Sequence, residues 1–551
     1  MEAKRILFII PPYFNYSQDE DEIITEQKPV FTIPYGVLSI AAYIKRNCNK
    51  CIEVSVLDLN IVMQELINNQ NDVLKGLNEC VKNKIKNFKP DYIGVSALFN
   101  TQYNYLEMIA SSIFAVRNET FVFLGGGLGT NLYKDVLDNY NCIDAICYGE
   151  GEIPIKELID AENTYAHIAQ SPSWITREKI RYDFKFEYKF VENLDNIPIF
   201  DYSLIDFEKY GGRSADKRDG MDHIEMSIHT SRGCPFNCVF CSNSTVHGKK
   251  IRYMSVDKVI EEIEFMIKAH NISVVLIEDD HFLSNKIRAK AILESLIKFN
   301  IRIEFPNGVA VYAIDSEIAT LMKKAGATTV SLAIESGSQY VLTNIIDKPL
   351  EIGMIYNAVA RLKENSIAIH AFIVIGLPGE LEKHREETMD MLHELEIDWV
   401  HFFIATPIAG SRLYDICKKE GFLIDGNDFK SYTVNKCNIL TPEINPHDIE
   451  RKAYTMNLKA NFIDNYYFRV GEYEKVLPYF VHVASRYPEH GIVHYCLAEI
   501  YKKTNDKELS IFHKKQYTKI LKNNKIWRSY FQELSIGEEI YMEDKLHGHN
   551  I

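Results

Sequence analysis

Two long stretches of this chain alternate short apolar runs with segments of helical spacing, and that alternation constrains the fold more than any other feature. In the first stretch the apolar runs are Arg5–Ile10, Ile52–Asp58, Tyr92–Ala97, Phe121–Leu124 and Ala145–Tyr148. Between them lie segments such as the one carrying Leu38, Ala41, Ala42 and Lys45, spaced along one helix face. Short strands separated by helices pair in parallel, in an α/β doubly wound sheet covered on both faces. Ligands of such sheets sit outside the carboxyl ends of the strands. Here those ends carry Pro11–Asn15, Ser96–Gln102, the glycine-rich Gly125–Gly129 and Gly149–Glu152.

The second series runs through Ile224–Ile228, Val274–Ile277, Ile301–Phe305, Thr329–Ile334, Ile367–Ile375 and Val400–Ala405. Six strand–helix repeats over roughly 200 residues predict a barrel or open barrel, with chemistry at the carboxyl ends of its strands. Asp315 is placed to cap a helix that stops at Gly326. The stretch between the two series is polar and aromatic without a period. From about residue 441 strands disappear, and Glu472–Lys503 resembles a degenerate tetratricopeptide helix pair, a type that binds protein segments. A plain helical cap on the barrel is the competing reading. The expected organisation is therefore a sheet domain over 1–160, a bridging segment over 161–220, a barrel over 221–440 and a helical region over 441–551.

Charge excludes some partners. With 62 basic and 76 acidic residues the net charge is −14, which repels phosphate backbones and anionic lipid. No apolar run reaches the length of a membrane-spanning helix. The N-terminal apolar run is cut by Pro11 and Pro12 and reads as a first strand rather than a signal peptide. Eleven cysteines, an odd number and mostly scattered, point to reduced thiols and a cytoplasmic location. The Cys48–Cys51 pair reads as a surface pair.

Three cysteines stand apart. Residues 230–241 read TSRGCPFNCVFC, placing Cys234, Cys238 and Cys241 in a C-x3-C-x2-C loop after the first strand of the second series. Thiolates hold iron–sulfur clusters, and three of them leave one iron of a four-iron cube open to bind another molecule directly. Zinc competes for such a loop but ordinarily takes a fourth ligand at close spacing. His229 and His247 are near, yet neither completes a zinc pattern.

With Phe240 before its third cysteine, this loop resembles that of the radical S-adenosylmethionine (SAM) superfamily. Ile277–His281, Ala333–Gln339, Gly376–Glu380 and Thr406–Gly410 resemble, in order, later motifs of the subgroup whose N-terminal domain is of the cobalamin-binding type. Pro34–Lys45, Asp91–Ser96, Gly125–Gly127 and Asp144–Glu152 resemble that domain. The resemblance implies a [4Fe–4S] cluster on Cys234, Cys238 and Cys241. It implies SAM against Phe240, Glu278 or Asp279, Glu335, Ser336 and Gly376, although the family's Gly-Gly-Glu is here Ile-Glu-Asp. It implies cobalamin against Tyr13, Ser96, Gly125, Gly126, Gly127, Thr130, Gly149 and Glu150. The family's Asp-x-His-x-x-Gly pattern is missing from the first loop, so cobalamin is expected to bind without a histidine ligand.

The activity implied is a cobalamin-dependent methyltransferase acting on an unactivated carbon or a phosphinate phosphorus through a 5′-deoxyadenosyl radical. Cyclisation, ring contraction, oxidation or C–C coupling by the same initiation is the alternative, and a non-catalytic sensor or scaffold is a third. A tRNA methylthiotransferase would carry a second cysteine triad, which this chain lacks. The implied partners are a small-molecule or peptide substrate, an electron donor such as flavodoxin or ferredoxin, and a protein at the helical C-terminus.

Overall fold

The first series of apolar runs forms one six-stranded sheet: β1 (Lys4–Ile10), β2 (Ile52–Asp58), β3 (Tyr92–Ser96), β4 (Phe121–Gly125), β5 (Ala145–Cys147) and β6 (Trp174–Ile175), in the spatial order 2-1-3-4-5-6. The structure, a computed structural model, describes residues 3–14, 32–69, 71–117, 119–182, 184–210, 223–424 and 436–536. Asn15 of the first loop, residues 211–220 of the bridging segment and residues 537–551 lie outside them. β1 to β5 pair in parallel, as their helical connections require. Both faces are buried: Leu7 and Ile9 enter one apolar core, and Ile6, Phe8 and Ile10 enter the other. β6 pairs antiparallel with β5. Two residues carry no periodicity, so β6 was not visible in the sequence, and it falls within the stretch read as a bridge.

The second series forms two three-stranded parallel sheets. One contains β7 (Glu225–Ile228), β10 (Val274–Ile277) and β11 (Arg302–Glu304); the other contains β12 (Thr329–Glu335), β13 (Ala368–Ile375) and β14 (Trp399–Ile404). Parallel bridges Ile303↔Ala327 and Val309↔Leu332 join them into a six-stranded partial barrel. A short antiparallel ribbon, β8 (Ser231–Arg232) with β9 (Arg252–Tyr253), lies outside the barrel wall. On β13, Ile369, Ala371 and Ile373 are buried in the core shared with the helices, while His370 and Phe372 take the opposite face, toward the lumen. The expected Asp315 cap is present, its carboxylate accepting from the Ile318 N–H at 2.9 Å.

An open barrel exposes its last strand, and an unpaired strand edge invites association. Here the helical region covers it. Asn461, in a π-helical turn over Lys459–Ile463, accepts from the Val400 N–H at 2.7 Å and donates to the Val400 carbonyl at 2.8 Å, standing in for a missing strand. Trp399 of β14 stacks on Tyr479, and Leu458, Phe462, Phe480, Leu497 and Phe531 form the helical region's own core. The helix pair Tyr473–Arg486 and Gly491–Lys503 packs together in that core. No helix of the described residues is long and apolar enough to cross a membrane.

Candidate functional site

The cysteine loop begins where β7 ends, and a buried carboxylate fixes its start. Asp279, after β10, accepts from the Thr230 N–H at 2.5 Å, the Thr230 hydroxyl at 2.6 Å and the Ser231 hydroxyl at 2.6 Å. Gly233 then turns at φ 98°, and a Cβ there would stand 2.6 Å from the Lys250 carbonyl, so only glycine fits. In mid-loop the Val239 N–H donates to the Ile346 carbonyl at 2.9 Å, and the Val239 carbonyl accepts from Leu413 N–H at 2.8 Å. The loop's shape is therefore set from three separate parts of the barrel.

Cys234 and Cys238 are half-buried and Cys241 is exposed; all three thiols are free. Burial pushes each thiol up, Cys238 to about 11, and each of Cys234 and Cys238 feels charge on another cysteine of the loop. The charged groups that act on them are Asp280, Glu335 and Lys348. Among the described residues no three His, Cys, Asp or Glu side chains converge on a point suited to a single metal ion. A four-iron cube takes its thiolates on different irons. Three thiol donors on one backbone-fixed loop, beside the Lys348 cation, fit such a cluster.

The carboxylates around the loop divide by role. Glu278 is partly exposed; it accepts from Ser227 Oγ at 2.8 Å and lies 3.4 Å from His229 Nε2. Asp279 holds the start of the loop through one backbone N–H and two hydroxyls. Its neighbour Asp280 accepts from the Gly233 N–H at 3.2 Å and acts on two of the thiols, a position not singled out in the sequence. Glu335 sits at a β-bulge with φ 70°, a conformation rare for a non-glycine residue, and accepts from Lys348 Nζ at 2.8 Å. Phe240 packs against the barrel core. The buried hydroxyl of Ser336 accepts from the Ser338 N–H and meets Thr388 Oγ1. At Gly376 (φ 80°) the N–H donates to Glu380 at 2.7 Å and a Cβ would stand 2.9 Å from Ile449, so that glycine serves packing.

The sheet domain presents β3, β4 and β5 to this loop. A Cβ on Gly127 would stand 3.5 Å from Val246, in the helix Ser244–His247 that follows the cysteines. Gly125 could carry a Cβ, whose nearest atom would be Cys147 Cβ in ordinary contact at 3.7 Å. Ser96 ends β3 in register with Gly125, and Tyr13 packs its ring edge-on against Phe99. Leu98 and Phe99 remain 53% and 55% exposed, an apolar edge of the kind a large planar cofactor covers. From Pro11 to Pro34 the sequence has no histidine to offer a metal. Four further positions have internal contacts. Gly126 (φ 92°) lies under the Ala97 carbonyl, where a Cβ would approach to 2.3 Å, and Gly149 (φ 80°) lies under Tyr188, at 2.5 Å. Thr130 Oγ1 accepts from the Gly149 N–H at 3.1 Å, and Glu150 is buried among cations of the barrel.

The lumen face of β13 and β14 carries rings that sequence reasoning missed. Phe372 stands opposite His401 in the strand register, and the edge of its ring meets Phe403. A Cβ on Gly308 would stand 3.2 Å from Phe372 and 3.4 Å from Ala333, which places these rings across the lumen beside β12. Alternation over two strands was the available signal. A cavity of about 480 Å³ lies at the other end of the barrel, between the strand amino ends and Tyr467, Lys475 and Tyr479, and belongs to the seam with the helical region.

The chain matches the model of the Radical SAM superfamily over residues 228–392 and that of the B12 binding domain over 23–159. An uncharacterized methyltransferase of Pyrococcus horikoshii is 32% identical over 63% of this chain and 74% of its own length. Cytidylyl-2-hydroxyethylphosphonate methyltransferase of Streptomyces wedmorensis is 26% identical over 72% of this chain and 79% of its own. Anaerobic magnesium-protoporphyrin IX monomethyl ester cyclase of Rubrivivax gelatinosus is 27% identical over 83% and 76%. The fold resembles that of the cobalamin-dependent S-adenosylmethionine radical enzyme OxsB, solved with aqua-cobalamin and S-adenosylmethionine bound, at a TM-score of 0.61 and 13% identity, covering 98% of this chain and 81% of that one.

Proposed function

Because the chain belongs to the radical SAM superfamily, in the group that joins that domain to a B12 binding domain, we propose that it is a cobalamin-dependent methyltransferase acting on an unactivated carbon or a phosphinate phosphorus. One observation carries the reading: the cysteine loop and the glycine-lined strand ends of the sheet domain adjoin, Val246 lying 3.5 Å from where a Gly127 Cβ would be. A carbon held in the lumen is thereby close to both cofactors, the proximity that a transfer between them requires.

When bound, the cluster and SAM supply a 5′-deoxyadenosyl radical, and cobalamin supplies the methyl group. The chain's own part is to hold and align. Cys234, Cys238 and Cys241 hold the cluster and leave one iron to SAM. Glu278, oriented by Ser227 and His229, offers its carboxylate to the SAM ammonium. The Lys348–Glu335 pair sets the local charge beside the thiolates. Gly125, Ser96, Leu98 and Phe99 form the edge for the corrinoid. Phe372, His401 and Phe403 wall the substrate and keep water from the radical. The enzyme works in the cytoplasm with flavodoxin or ferredoxin as reductant.

The test needs no knowledge of the substrate. After anaerobic reconstitution with cobalamin, iron, sulfide and corrinoid are measured, and methyl-labelled SAM is added with reductant. Label on the retained corrinoid is the expected result. A protein that cleaves SAM but retains no corrinoid contradicts methyl transfer and favours ring closure without it, the reading that likeness to the Rubrivivax cyclase supports.

A further inference from the structure

The cysteine loop is a closed excursion of the chain. It leaves through β8, carries the cysteines and the helix Ser244–His247, and returns through β9, which pairs with β8 so that Arg232 and Arg252 are directly opposite. Both arginines point away from the barrel, into the sheet domain. Arg252 grips Glu150 with both nitrogens, at 2.9 and 2.6 Å. Arg232 reaches Glu150 at 3.2 Å, Glu152 at 2.8 Å and Ser39 Oγ at 2.9 Å. His247, which ends the loop's helix, lies 2.7 Å from Glu150 through Nδ1. The Ser39 hydroxyl also donates to Glu152, at 2.5 Å.

All of this is dry. The side chains of Glu150, Glu152 and Arg252 are 3%, 3% and 2% exposed, and that of Arg232 is 9%. Burial alone would push the Glu150 carboxyl up, but Arg232, Arg252 and His247 outweigh it and hold it well below the usual carboxylate range. A second tie runs in parallel. Tyr148 stacks on Tyr188 at 4.4 Å, Tyr188 stacks on Phe190 at 5.1 Å, and the Arg252 guanidinium lies over Phe190 at 4.3 Å. Tyr188 also donates to the Thr245 carbonyl, inside the loop, at 2.7 Å.

We propose that Glu150 and Glu152 are positioning residues of the cysteine loop, so that the B12 binding domain is a working part of the cluster site. One carboxylate gathers two arginines and a histidine from the two feet and the helix of a single loop, which fixes the loop's outline and its place against the neighbouring domain together. Buried arginine–carboxylate forks give geometric specificity that a neutral side chain of the same size lacks. The inference rests on the proposed function only in taking the loop to be the cluster's seat.

The test uses the full chain as isolated, before any cluster is built, with Glu150→Gln and, as the milder change, Glu152→Gln. Amide hydrogen exchange read by mass spectrometry over residues 229–253 should accelerate at least tenfold in Glu150→Gln and less in Glu152→Gln, while the barrel strands β12 to β14 keep their protection. Cleavage by trypsin at the exposed Lys249 and Lys250 should accelerate in the same order. After reconstitution, iron loss to a chelator should rise in Glu150→Gln and recover in part in Glu150→Asp, which restores the charge. Unchanged exchange over 229–253 in both variants overturns the proposal, as does exchange that rises equally throughout the chain. If the wild type takes up no cluster, the proposed function fails, yet the exchange result still decides whether these carboxylates position the loop.

Discussion

Glu278 and Asp279 are adjacent acids that the structure assigns to different work, and replacing each separates the two. Asp279→Ala strands the buried Thr230 N–H, which costs about 1–3 kcal/mol, and deprives two hydroxyls of their acceptor at about 1 kcal/mol each. It also removes the anion that acts on Arg288, itself bonded to the Thr230 carbonyl at 2.7 Å. The hydroxyls can turn to other partners, so the expected loss is about 3 kcal/mol. At roughly 2–4 °C per kcal/mol for a unit of about 150–250 residues, the size of the barrel, its melting should fall by about 6–12 °C. Because Thr230 and Ser231 lead into the cysteines, iron uptake should fall with it. Glu278→Gln gives up one bond from Ser227 and the charge beside His229 on a partly exposed group, worth about 0–1 kcal/mol. That variant should melt and load iron like the wild type while binding SAM more weakly. Differential scanning fluorimetry, iron content and SAM affinity on the three proteins decide it. An Asp279→Ala protein with wild-type melting and iron content refutes the assignment, as does a Glu278→Gln protein that binds SAM unchanged.

Asn461→Leu should destabilise the barrel by about 2–4 kcal/mol, since the buried N–H and carbonyl of Val400 both lose their partner, and should promote aggregation along the bared edge of β14; chemical denaturation and light scattering measure the two effects. His490 caps the helix Gly491–Lys503 by accepting from the Val493 N–H, and burial pushes it down to about 3. The unfolded chain takes up that proton near pH 6.5, so the folded helical region should lose stability from about pH 6.5 down toward 3, and His490→Asn, which keeps a cap without titrating, should flatten the dependence seen in Trp527 fluorescence. Gly126→Val should lower melting whether or not cobalamin is present, because its Cβ meets the Ala97 carbonyl; Gly125→Val, whose Cβ meets only Cys147 at an ordinary 3.7 Å, should weaken corrinoid retention without lowering melting.

What the sequence made legible follows from how local each signal is. The long strands, the Asp315 cap and the three cysteines are contiguous patterns, and they are found where spacing placed them. Glu150 and Asp279 were legible as residues but not as roles. Their partners lie 82 and 102 positions away for Glu150 and 49 for Asp279, and only the fold brings them together. Their structural roles show only once those partners are in place. The glycines teach the same lesson: Gly126, Gly149 and Gly376 are demanded by carbonyls and side chains of this chain, whereas Gly125 is not. β6, β8 and β9 are two residues each, below any detectable period, and the ribbon of β8 and β9 carries the tie between the domains. The ring wall of Phe372, His401 and Phe403 depends on which face of β13 and β14 turns inward, which closure of the partial barrel settles.

The loop of Cys234, Cys238 and Cys241 is expected to hold a four-iron cluster with one iron open to SAM, and electron paramagnetic resonance of the anaerobically reconstituted, reduced protein, recorded with and without SAM, tests this. A four-iron signal whose g-values move when SAM is added, and which is lost when the three cysteines are replaced by alanine, is the predicted result. A signal indifferent to SAM, or one that survives in the triple variant, contradicts the account.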